Sequence, residues 1–116
     1  MSNYNFLKSE INSRLVKIEL NEQVLGGNDA LDFASLLHEM TEQNVKYIIA
    51  DLTKVKIMNS SGLGMLVSGL TSMKKNNINF ILVSVPDKIM SLLEMTHLDK
   101  VFQIYDNEAE AVESCI

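Results

Sequence analysis

The octet Ile57-Met58-Asn59-Ser60-Ser61-Gly62-Leu63-Gly64 (IMNSSGLG) sits between an apolar run and an apolar periodic run. Upstream, residues 47–50 (Tyr-Ile-Ile-Ala) are almost wholly apolar and end at Asp51, the pattern of a central strand buried on both faces. Downstream, Leu63, Leu66, Val67, Leu70 and Met73 recur at helical spacing until Asn76 and Asn77 stop the helix. The octet therefore reads as a strand-to-helix turn. Asn59 or Ser60 supplies the oxygen that caps the first free N–H groups, an interaction contributing about 0.5–2 kcal/mol. A helical glycine costs up to about 1 kcal/mol relative to alanine. Gly62 and Gly64 together thus predict a first turn packed closely against the sheet.

The same residues bear on chemistry. Neither Gly-x-x-x-x-Gly-Lys-Ser/Thr nor Gly-x-Gly-x-x-Gly is present, so a nucleotide-phosphate cradle is excluded on pattern, and a Gly-x-Ser-x-Gly nucleophile elbow is absent too. Lys54 and Lys56 precede the turn but match neither fingerprint. A serine at a helix start is exposed and lies at the positive end of the helix dipole, where a phosphate is stabilised by free N–H groups. Phosphorylation there changes the surface by about −1.5 to −2 charges without requiring a change of fold. Capping and modification are compatible readings of the same turn.

The remaining elements extend outward from this turn. Residues 6–10 and 14–20 alternate partly between apolar and polar, and Asn12-Ser13 between them is a turn signal, so they form a hairpin. Adjacent Leu15 and Val16 interrupt the alternation. Gly26, Gly27, Asn28 and Asp29 break the chain and supply capping residues for a helix whose inner face is Phe33, Leu36, Leu37 and Met40. Residues 79–85 read as a strand, Pro86 as a helix start, and Ile89, Leu92, Leu93 and Thr96 as that helix's inner face. Residues 101–105 form a last strand and residues 108–113 a closing helix. The order β-β-α-β-α-β-α-β-α over residues 1–116 predicts one α/β domain. Its sheet is mixed but mostly parallel, with helices packed against it.

Composition narrows the function. A net charge of −5, with Lys74-Lys75 the only basic doublet, opposes nucleic-acid binding, and the doublet reads as a solvated helix end. No apolar run reaches the roughly 18 residues of a membrane span, and the N-terminus lacks a basic region followed by an apolar stretch. The single cysteine, Cys115, reads as incidental. These features predict a cytoplasmic protein without direct membrane insertion. His38 and His97 are distant in sequence and lack ligand-spaced neighbours, so they read as surface residues. No metal, cofactor or catalytic constellation is expected. Met40, Met73 and Met90 read as core or its border. Met58 and Met65 flank the turn, where methionine suits either an adaptable docking surface or core filling, the latter preferred for Met65. Glu108, Glu110 and Glu113 read as a solvated face.

The strand ending at Asp51-Leu52-Thr53, followed by Met-x-Ser-Ser-Gly-Leu-Gly and an apolar helix, resembles the anti-sigma factor antagonists of the STAS domain family. Their usual turn reads Asp-Ser-Ser/Thr-Gly-Leu-Gly. The likeness extends over nearly the whole chain. It implies a partner-switching binding module rather than an enzyme. In such a module the unphosphorylated antagonist binds an anti-sigma factor that is also a serine kinase, and a phosphoserine phosphatase reverses the kinase's modification. The resemblance implies Ser60 as phosphoacceptor, with Ser61 the second choice. It also implies a partner surface comprising Leu25, Gly26, Gly27, Asn28, Met58, Asn59, Ser60, Ser61, Gly62, Leu63, Gly64 and Met65. Asn59 replaces the motif's Asp, and Leu25 stands where members often carry an Asp, so this surface is less acidic and more apolar. The alternative is an unphosphorylated STAS interaction module of a transporter, lipid-transport complex or sensory scaffold. The exposed first-strand edge predicts a monomer or weak dimer.

Overall fold

The computed structural model describes residues 6–115. Strands β1 (Phe6–Glu10) and β2 (Leu15–Leu20) form the expected hairpin, closed by Asn12, whose Oδ1 accepts from the amides of Arg14 (2.8 Å) and Leu15 (2.9 Å). The chain continues through β3 (Gln23–Val24), α1 (Asn28–Glu42), β4 (Tyr47–Asp51), β5 (Ile57–Met58), α2 (Ser60–Lys75), β6 (Asn79–Val83), α3 (Asp87–Met95), β7 (Gln103–Tyr105) and α4 (Glu108–Ser114). The principal sheet has the order β1-β2-β4-β6-β7. Its first pair is antiparallel and the others are parallel. The mixed, mostly parallel sheet with four packed helices matches the sequence expectation.

Both faces of the sheet are covered, unequally. Val16, Ile18, Leu20, Ile48, Ala50, Phe80 and Leu82 join the buried side chains of α1, α2 and α3 in the larger core. Leu15, Ile49, Ile81 and Val83 point to the other face and meet Ala111 of α4. Adjacent Leu15 and Val16 are thus both buried because this part of β2 is covered on both sides. A cross-core row of rings, Phe6–Phe33–Phe80–Phe102, has centroid separations of 5.3, 6.1 and 6.4 Å. Helices α1 and α2 approach at Gly69, where an added Cβ would lie 3.0 Å from both Leu37 and Phe33.

Several expectations change. The short strands β3 and β5 pair with each other, parallel, in a separate two-stranded sheet that the sequence reading did not include. Gly27, at φ 62°, occupies the N-cap of α1 without a side-chain cap, so Asn28 and Asp29 lie inside the helix rather than capping it. Strand β6 ends at Val83, because Ser84 turns the chain at φ 54°. Val101 and Phe102 precede β7, following a 3₁₀ turn at Leu98–Lys100, and Phe102 is buried as a core plug. Glu108 is held by Lys17 at 2.9 Å rather than merely solvated. Met40 and Met73 are fully buried, Met90 borders the core, and Asn77 adopts φ 59° just beyond the end of α2. His38 is an exposed surface residue whose Nε2 lies 3.0 Å from Glu42, and His97 is exposed as well.

Candidate functional site

The octet is shaped by what lies beneath it. After β4, Asp51 Oδ1 accepts from the amide of Thr53 (2.9 Å), and Leu52 is buried, its amide donating to the carbonyl of Val83 (3.1 Å). The chain then runs beside β3: the amides of Lys56 and Ile57 both donate to the carbonyl of Glu22, and that of Asn59 to Val24. Asn59 is the N-cap of α2, its Oδ1 accepting from the amide of Gly62 at 2.7 Å. Of the two capping candidates, Asn59 performs the role and Ser60 is released from it.

Ser60 therefore occupies the first position of α2, exposed, with no hydrogen bond to its hydroxyl among the described residues. Ser61 is exposed beside it. The first turn of α2 carries no acidic residue of its own to offset the positive end of the helix. Neighbouring cations are engaged elsewhere. Lys54 bonds Glu19 at 2.6 Å, a contact that raises its pKa above the ordinary lysine value, and Lys56 lies 3.7 Å from Glu22.

The two glycines do different things. A Cβ on Gly62 would lie 1.9 Å from the carbonyl oxygen of Val24, so only glycine allows β3 and the helix start to meet. A Cβ on Gly64 would meet nothing within 4 Å. Gly64 is thus not required for packing against the sheet, contrary to the sequence expectation. Gly26 has φ 78°, and its Cβ would fall 2.7 Å from that of Ser61, which holds the approach to α1 against the turn.

The structure brings the anticipated partner residues into one region but divides them by depth. Leu25, Gly27, Asn28, Asn59, Ser60, Ser61 and Gly64 are exposed and Met58 half-buried. Gly26, Gly62, Leu63 and Met65 are buried; Met65, at 4 % exposure, joins the core and reaches the surface only at the floor of the groove between α1 and α2. An apolar rim that the sequence reading missed extends the surface. Ile57 (48 % exposed) and Met95 (78 % exposed) line, with Met58, Lys88 and Leu92, a depression of about 280 Å³ between β5 and α3. Leu25, beside the β3–β5 pair, is 40 % exposed. Met95 lies outside the inner-face spacing of α3, which is the one signal in the sequence that could have marked it. A second groove, about 570 Å³, separates α1 from α2 and is bordered by Ala30, Leu31, Ser61, Gly64 and Ser68.

No described group of three His, Cys, Asp or Glu side chains could hold a metal, and no described helix is long and apolar enough to cross a membrane. A five-stranded mixed sheet presenting a capped hydroxyl turn at a helix start defines a binding domain of the STAS type. The chain belongs to the STAS domain family, whose model matches residues 5–111.

Relatives within that family carry the anti-sigma factor antagonist name. The chain is 33 % identical over 75 residues to such a protein of Thermotoga maritima, covering 65 % of this chain and 66 % of that one. It is 33 % identical over 60 residues to an anti-sigma-B factor antagonist of Listeria monocytogenes, covering 52 % and 53 %. The matched stretch thus spans about half to two thirds of these relatives' length. Among solved structures, the Thermotoga maritima protein TM1081 superposes with a TM-score of 0.84 at 26 % identity, over 97 % of this chain and 90 % of that one. Phosphorylated Bacillus SpoIIAA (TM-score 0.74, 17 % identity, 96 % and 99 % covered) shares the fold. So does a sulfate transporter family protein of Wolinella succinogenes (0.76, 17 %, 86 % and 83 %).

Proposed function

We propose that this chain acts in the cytoplasm as an anti-sigma factor antagonist. In this reading it binds an anti-sigma factor that is also a serine kinase, and the complex is dissolved by phosphorylation of Ser60 and restored by a phosphoserine phosphatase. The observation that carries the reading is the exposed Ser60 hydroxyl, free of hydrogen bonds among the described residues, at a helix start whose first turn has no acidic residue. A phosphate there would be stabilised by the dipole, while its charge and bulk would interrupt an otherwise apolar contact surface formed by Leu25, Ile57, Met58 and Met95. In this reading Gly27, Asn28, Asn59, Ser61 and Gly64 also belong to the partner surface, Gly27, Ser61 and Gly64 through the groove between α1 and α2, and the buried Gly26, Gly62 and Leu63 shape the turn. The protein works by binding and not by catalysis.

Two experiments test this. Titration with the anti-sigma factor kinase of the same cell should give wild-type affinity for Ser60→Ala and at least about tenfold weaker binding for Ser60→Asp; equal binding by both sinks the switch. Intact mass and peptide mapping of protein from its own host should place one phosphate on Ser60. Phosphate on Ser61 would move the site by one residue.

The second reading is a constitutive STAS interaction module serving a transporter, lipid-transport complex or sensory scaffold. Asn59 and Leu25 favour it, since each replaces an acidic residue expected beside a phosphoacceptor of the usual kind. Absence of phosphate under several growth conditions, with a membrane-complex subunit recovered as partner, would select it.

A further inference from the structure

Strand β1 ends the sheet: among the described residues no strand lies beyond it. It is five residues long, contains neither proline nor bulge, and pairs with β2 in unbroken register. Such an edge is a template for another strand unless something blocks it. The direction of its free hydrogen-bonding groups follows from the hairpin. Ile11 lies just past the paired residues, and its amide donates to the carbonyl of Leu15 at 2.9 Å, which also accepts from the amide of Asn12 at 3.2 Å. Backbone direction alternates along a strand, so Ser9 and Leu7 also face β2, while the N–H and C=O groups of Lys8 and Glu10 face outward.

A second copy meeting this edge about a twofold axis must bond through those outward groups. Lys8 then falls opposite Lys8, Phe6 or Glu10 of the other copy. The first arrangement opposes like charges, which is destabilising. The second leaves Glu10 without a cationic partner. The third centres on Ser9 and pairs Lys8 with Glu10 on both sides of the axis, with Leu7 beside Ile11. Lys8 and Glu10 are two residues apart and so share a face. Within the chain, Glu10 has no ion-pair partner among the described residues, and Lys8 reaches only Gln43 Oε1 at 3.4 Å. Leu7 is 60 % exposed. A lone lysine normally guards an edge strand; a glutamate two residues away makes this edge complementary to itself in one register.

We propose that this chain forms a symmetric dimer by antiparallel pairing of β1 with β1 of a second copy, in the register that sets Lys8 opposite Glu10. The test is sedimentation equilibrium of the full chain over a concentration series, with circular dichroism to verify that each variant is folded. Lys8→Glu and Glu10→Lys each place like charges opposite one another, and each should raise the dimer dissociation constant at least about tenfold. The double exchange, Lys8→Glu with Glu10→Lys, should restore wild-type dimerisation. A wild-type chain that stays monomeric to millimolar concentration overturns the proposal. So does a dimer indifferent to both single reversals, or one that the double exchange fails to restore.

Discussion

Gly62 lies so close to Val24 that a Cβ on the glycine would sit 1.9 Å from the Val24 carbonyl oxygen. This contact presses the start of α2 against β3 and fixes where Ser60 is presented. Gly64, two residues on, has open space around its missing Cβ. The pair therefore separates structural from surface roles. Gly62→Ala should destabilise the fold by at least about 2 kcal/mol, because backbone must move to admit one methyl. Gly64→Ala should stabilise it by about 0.5–1 kcal/mol through helix propensity. Urea denaturation of the two variants reads both effects. If Gly64→Ala also weakens partner binding, the open side of that turn is part of the contact.

Asn59 is expected to matter through its cap. Asn59→Ala removes the acceptor for the Gly62 amide and should cost about 1 kcal/mol. Asn59→Asp keeps the acceptor and adds a negative charge at the helix start, so its stability should equal or slightly exceed wild type at neutral pH. Thermal denaturation separates the two. A loss in Asn59→Asp similar to that in Asn59→Ala would show that the amide group, not the oxygen, is what the turn requires.

The apolar rim should be separable from stability. Met95 and Ile57 are exposed, so Met95→Glu and Ile57→Glu should change unfolding free energy by no more than about 0.5 kcal/mol. Under the proposed function, each should weaken binding of the anti-sigma factor at least about tenfold, read by calorimetric titration. Unchanged affinity in both variants would remove this rim from the interface.

The Lys17–Glu108 pair ties α4 to β2 at 2.9 Å, and its hydrogen bond raises the Lys17 pKa above the ordinary lysine value. A lysine whose folded pKa is raised adds stability that is fully present below its unfolded pKa, about 10.4, and is lost as pH climbs through the folded value. Glu108→Gln should therefore be less stable than wild type by up to about 1 kcal/mol at neutral pH. The gap should close in strongly alkaline solution. Denaturation at neutral and alkaline pH checks the sign; a gap that widens with rising pH would contradict the assignment.

Local pattern was enough for the large elements. Leu63, Leu66, Leu70 and Met73 mark the buried face of α2 because a helix repeats every 3.6 residues, and that period is written in the chain. Residues 47–50 announce a central strand because both its faces are apolar. Asn59 is a capping residue by type, and Asn77 a stop by its tolerance of the left-handed conformation it adopts. The alternation of these elements was sufficient for the mixed, mostly parallel sheet, and the Ser-Gly-Leu-Gly turn for the family.

Other features depend on what arrives from elsewhere in the chain. Strands β3 and β5 are two residues each, too short to carry a period, and exist only because residues 22–24 and 56–59 are brought side by side. The division of labour between Gly62 and Gly64 is invisible locally, since both are helical glycines. It is decided by Val24 lying against one and nothing lying against the other. Met65 and Met95 are chemically alike, yet one fills the core and the other projects from it. Residue type and spacing determined which segments fold and how they are capped. Burial and close approach are properties of non-local neighbours, so only the tertiary structure decided which residues of the turn remain on the surface.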